Sequence, residues 1–112
     1  YTIEVTAASL AASASGQAEV RFVPGAGFKW NEEFPATVKI VNPGTAQLAR
    51  RAFTRAEGDF TSREGTGVLR LDVTAEAPGA TSIEATADFS VCNDDECRIF
   101  RAVPIAIPVQ VQ

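Results

Sequence analysis

The stretch Thr81-Ser-Ile-Glu-Ala-Thr-Ala-Asp-Phe-Ser-Val91 alternates without a break. Ile83, Ala85, Ala87, Phe89 and Val91 fall on one side, and Ser82, Glu84, Thr86, Asp88 and Ser90 on the other. A period of two sends successive side chains to opposite faces, so this is a long strand with one buried face. Pro78-Gly79 just before it marks a turn.

The same period recurs on both sides. A strand is predicted over 17–23, with Ala18, Val20 and Phe22 inward, and it stops at Pro24-Gly-Ala-Gly27. Another over 36–41 stops at Asn42-Pro-Gly44, and one over 68–74 turns Leu69, Leu71 and Val73 inward. Strands are also expected over 98–103 and 105–111, near 47–53, and at the N-terminus over 1–6. Pro104 and Pro108 cannot donate to a ladder, so the C-terminal strand should be an edge or be paired on one side. The Ala/Ser-rich stretch 7–16 suits a loop or irregular edge, and 54–67 a long charged loop. Short strands punctuated by turns predict an all-β, immunoglobulin-like β-sandwich. At 112 residues it should form a single domain over 1–112.

Absences narrow the chemistry. The chain has no His, which excludes Ser-His-Asp and Cys-His nucleophile systems and His-containing metal sites. It has no Met, so a thioether copper site is out. The net charge of −4 argues against nucleic acid or an anionic membrane as the main partner. No P-loop, dinucleotide fingerprint or calcium loop occurs. The start at Tyr1-Thr2-Ile3-Glu4 resembles a mature or trimmed N-terminus.

Two cysteines carry what chemistry remains. Cys92-Asn-Asp-Asp-Glu-Cys97 joins two strands through four polar residues, as a hairpin does. Directly opposed residues in such a pair lie within disulfide range. Closing so short a loop stabilises a fold by only about 2 kcal/mol. A reversible redox pair, a local staple and free thiols all remain open on spacing alone. A closed zinc site does not fit two Cys without His. Asp94, Asp95 and Glu96 should raise the thiol pKa values, and Arg98 should lower that of Cys97.

At these residues the sequence resembles a known family. The run from Gly79 to Cys92, followed by Cys97 and Val103-Pro-Ile-Ala-Ile-Pro-Val109, is similar to the N-terminal periplasmic domain of the DsbD thiol–disulfide interchange proteins. The likeness extends to 68–74 and to Gly27-Phe-Lys-Trp-Asn31. It implies an immunoglobulin-like fold in which Cys92 and Cys97 are a redox pair. Electrons would pass between a membrane-anchored parent protein and periplasmic thioredoxin-like or disulfide-exchange partners, with no cofactor and no metal. It also implies a cap loop whose acidic residue and Phe shield the disulfide, and here Asp59 and Phe60 take those places. The likeness departs from the family at the segment between the cysteines, which is one residue shorter and more acidic, and at Arg98, where the family has an aromatic residue. A second reading needs no exchange: a non-catalytic immunoglobulin-like binding or structural domain with a passive hairpin disulfide. Both place the protein in an oxidising, periplasmic or secreted setting.

Overall fold

The computed structural model describes residues 1–6, 8–11, 14–75 and 77–112, with the backbone alone for 8–10 and 14. Its elements are β1 (Thr2–Thr6), β2 (Ala8–Leu10), β3 (Ala14–Val23), β4 (Lys29–Trp30), β5 (Thr37–Asn42), β6 (Ala52–Thr54), β7 (Phe60–Arg63), β8 (Thr66–Ala75), β9 (Gly79–Cys92) and β10 (Cys97–Val111). One sheet runs β1-β3-β8-β7, and the other runs β2-β10-β9-β5-β6 with β4 beside the end of β9. All pairs are antiparallel except β2 with β10. The chain is thus an all-β sandwich of immunoglobulin-like type.

The alternation of the sequence becomes the core. Ile83, Ala85, Ala87, Phe89 and Val91 of β9 are buried against Ala18, Val20 and Phe22 of β3 and Leu69, Leu71 and Val73 of β8. At one end an aromatic stack closes the sandwich. Trp30 lies 5.2 Å from Phe22 and 5.9 Å from Phe89, centroid to centroid. Gly67 makes room for it, because a Cβ there would fall 2.3 Å from the indole.

The structure differs from the sequence expectations in four places. The strands expected over 98–103 and 105–111 are one strand, β10, re-phased by a bulge between Phe100 and Val103. In an unbroken strand Phe100 and Ile105 would face opposite ways, and the extra residue turns both inward. Ala102 there has φ +52°, its N–H donates to Asp88 Oδ1 at 2.8 Å, and Arg101 lies 3.8 Å from the same carboxylate.

The charged stretch 54–67 is not a long loop. It holds a tight turn, β7, and a two-residue hairpin at Glu64-Gly65 with φ of +51° and +80°. That positive-φ pair is the hairpin geometry usually supplied by Asn-Gly, which is why the sequence concealed it. The strand near 47–53 shrinks to β6, and Gln47 instead bridges to Thr74 of the other sheet. Within 7–16, Ala8–Leu10 pairs in parallel with the end of β10, and 14–16 extend β3; Ala7, Ala12 and Ser13 lie outside the described residues.

The prolines sit where the ladder does not need them. The Ser90 carbonyl accepts from Asn31 N–H on the β4 side. Even-numbered residues of β9 therefore turn their backbone groups away from β10, and odd-numbered ones face it. Pro104 and Pro108 pair with Thr86 and Ser82, so their missing N–H groups face the open edge of β10. Beyond the short contact with β2 at Val109–Val111, that edge has no strand partner among the described residues.

Candidate functional site

The β9–β10 turn forms its own scaffold. Asn93 N–H donates to the Glu96 carbonyl at 2.8 Å, and Asn93 Oδ1 accepts from Asp95 N–H at 2.9 Å and Glu96 N–H at 2.7 Å. With Asn93 and Glu96 bonded, alternation makes Cys92 and Cys97 a close pair without ladder bonds. Their Cα atoms are 4.0 Å apart and their sulfurs form a disulfide. Cys97 is exposed and Cys92 half-buried. The bond stands on the outer face of its sheet, since Val91 between Ser90 and Cys92 points into the core.

Arg98 occupies the opposite face of β10 from Cys97. It contacts Glu96 at 3.0 Å and lies 4.9 Å above the Phe28 ring. A cation that shares a face with the disulfide is Lys29, the register partner of Cys92 on β4. Sequence reasoning missed Lys29; the signal lay in Gly27-Phe-Lys-Trp-Asn31, whose Trp30 is a core residue and whose next-door Lys29 must therefore point outward.

Beside the bond is an open recess of about 460 Å³, bordered by Lys29, Glu32, Glu33, Gly65, Cys92 and Asp94 among others. Four inter-strand connections meet there, which is the loop end of the sandwich. Phe60 does not border this recess. Its ring stacks on Trp30 at 5.7 Å and 26° and lines a separate hollow with Glu32 and Arg55. Trp30, Glu32 and Ser62 border both hollows, and Trp30 is the one that Phe60 stacks on.

Asp59 holds the β6–β7 turn. One carboxylate oxygen accepts from the Arg50 guanidinium and the other from Thr54 N–H at 2.8 Å. The Arg50 hydrogen bond, aided by Thr54 N–H, holds the Asp59 carboxyl below its ordinary value against the opposing effect of burial. The four residues singled out from the sequence thus form two groups: Cys92 with Cys97 at the β9–β10 tip, and Asp59 with Phe60 at the start of β7 in the other sheet.

Among the described residues no group of three acidic, Cys or His side chains is placed to hold a metal ion, and no helix is long and apolar enough to cross a membrane. The chain matches no family model and no curated protein. Two solved structures are similar to it at low identity. The CooA pilin subunit from enterotoxigenic Escherichia coli shares 9% identity at a TM-score of 0.32, covering 100% of this chain and 99% of that one. ACE19, the collagen binding subdomain of the Enterococcus faecalis surface protein ACE, shares 13% at 0.35, covering 96% and 95%. The fold assignment rests on the strand pairing itself.

Proposed function

We propose that this chain is a non-catalytic β-sandwich module of an oxidising compartment. Its disulfide staples the loop end, where the recess meets partner molecules. The observation that carries this is the preorganised tip. The turn is closed by its own hydrogen bonds, and the registered strands hold Cys92 opposite Cys97. A fold that keeps two thiols opposed raises their effective concentration and drives the bond closed. Asp94, Asp95 and Glu96 also repel an incoming thiolate. Rigid scaffolds with functional loops at one end are a common binding design. The test is exchange with thiols in the native fold. In a glutathione buffer poised near the thioredoxin potential of about −270 mV, the bond should stay closed, and opening there would overturn the staple.

A second reading is thiol–disulfide exchange of the DsbD kind. Two observations favour it: Cys97 is exposed, and the bond borders an open recess with a lysine on the same face. Exposed disulfides tend to be the labile ones. In that reading Cys92 and Cys97 would cycle with thioredoxin-like partners in the periplasm. Phe60 would act through Trp30, against which it stacks, with Asp59 fixing the turn that carries it.

A further inference from the structure

Reduction of this bond creates two thiols in unequal surroundings, and the inequality comes from β4. Lys29 and Cys92 are partners in the β4–β9 ladder, so their side chains leave the sheet on the same face, with Cβ atoms about 5 Å apart. Both border the recess beside the bond. The Lys29 stem packs over Gly65, where a Cβ would come within 3.3 Å of its Cγ. Among the described residues no carboxylate lies within salt-bridge distance of Lys29.

Cys97 has no such neighbour. It lies on the edge strand, and Arg98 is turned to the other face, held by Glu96 and Phe28. Acidic groups also border the tip. Asp94 comes from the turn, Glu32 and Glu33 from the β4–β5 connection, and Glu64 from the β7–β8 turn beside Gly65. Asp94, Asp95 and Glu96 stand in the turn between the two cysteines, whereas Lys29 is paired in the ladder with Cys92.

We infer that Cys92 is the modification site of the reduced domain, the thiol at which a low-molecular-weight disulfide such as oxidised glutathione enters, with Lys29 as its positioning residue. A cation beside a thiol favours the thiolate, which is the nucleophile. The Cys92 thiolate attacks one sulfur of oxidised glutathione. A new S–S bond forms at Cys92, the glutathione bond breaks, and its electron pair leaves on glutathione thiolate. The Cys97 thiol then loses its proton and attacks the Cys92 sulfur. A second glutathione thiolate departs and the Cys92–Cys97 bond is restored. Two electrons pass from the dithiol to one glutathione disulfide. Lys29 also offsets the acidic tip for an anionic reagent. This goes beyond the staple reading, because it concerns how the bond is remade and not what it serves.

The experiment compares Cys97→Ser, which leaves Cys92, with Cys92→Ser, which leaves Cys97. Each folded variant is mixed with oxidised glutathione at pH 7, and adduct formation is followed by mass spectrometry. Cys97→Ser should react about tenfold faster, the effect of one pKa unit on thiolate fraction. Lys29→Gln in the same background should remove most of that advantage, and Lys29→Arg should keep it. Iodoacetamide, which is neutral, should show the same order in its pH profile, with the Cys92 midpoint moving up in Lys29→Gln. Equal rates, a faster Cys97, or a Lys29→Gln variant with unchanged rate and midpoint would each overturn the inference. The staple reading is judged separately, by the equilibrium potential of the intact pair.

Discussion

Phe60 stacks on Trp30 with ring centroids 5.7 Å apart, and Trp30 in turn stacks on Phe89 at 5.9 Å. The three rings form a continuous column from β7 through β4 to β9. Phe60 is thereby a buttress of the core end. Phe60→Ala should cost about 3 kcal/mol of unfolding free energy, read from urea midpoints. It should leave the rate at which dithiothreitol opens the native disulfide within about twofold of the parent, because a half-kilocalorie change is about that size. A tenfold faster opening would instead make Phe60 a cap over the bond.

The bulge in β10 holds Ala102 at φ +52°, a conformation that costs an alanine about 1 kcal/mol. Ala102→Gly should raise the stability by about that amount, seen as a higher thermal midpoint. Asp88→Ala should lower it by about 1–2 kcal/mol, since it removes the acceptor of Ala102 N–H and frees Arg101. Opposite signs from the two substitutions would mark the bulge as a strained feature that Asp88 maintains.

Asp59 gives the fold an acid dependence. Its folded carboxyl sits below the unfolded value, chiefly through the Arg50 hydrogen bond. The stability it contributes is therefore fully present above the unfolded carboxylate value of about 3.9, and it drains away as pH falls through the lower folded value. Asp59→Asn should lower stability at pH 7 and flatten this part of the profile, measured by urea unfolding between pH 2 and 7. An unchanged slope would show that the β6–β7 turn does not depend on the ionised carboxylate.

Pro104 and Pro108 leave gaps in the row of donors along the open edge of β10. Replacing both with Thr would restore N–H groups facing that edge, and sheets with open edges pair with one another. The double variant should self-associate at concentrations where the parent is monodisperse by sedimentation velocity. A variant with the parent's behaviour would show that the prolines do not guard the edge.

Much of this fold was legible in the sequence because alternation survives translation into strands. The buried face of β9 is the odd-numbered set from Ile83 to Val91, and the two cysteines meet as their spacing implies. What escaped depends on partners that are remote in the chain. Ala8–Leu10 becomes a strand by pairing with Val109–Val111 of β10, just over a hundred residues later. The bulge is a phase change that reads as two strands until the register with β9 is known. Lys29 is unremarkable in sequence and meaningful only opposite Cys92. The family likeness set Phe60 in the place of a cap residue, and its stacking on Trp30 is a contact that no sequence pattern announces.

If the Cys92–Cys97 bond is the staple of a preorganised hairpin, as proposed, it resists reduction in the native fold. Its reduction potential, from thiol trapping of the folded domain equilibrated in dithiothreitol buffers, tests this most directly. A staple should give a value below about −300 mV, as for structural disulfides. A value between about −180 and −270 mV, where exchange proteins poise, would contradict it and make the pair a carrier of electrons.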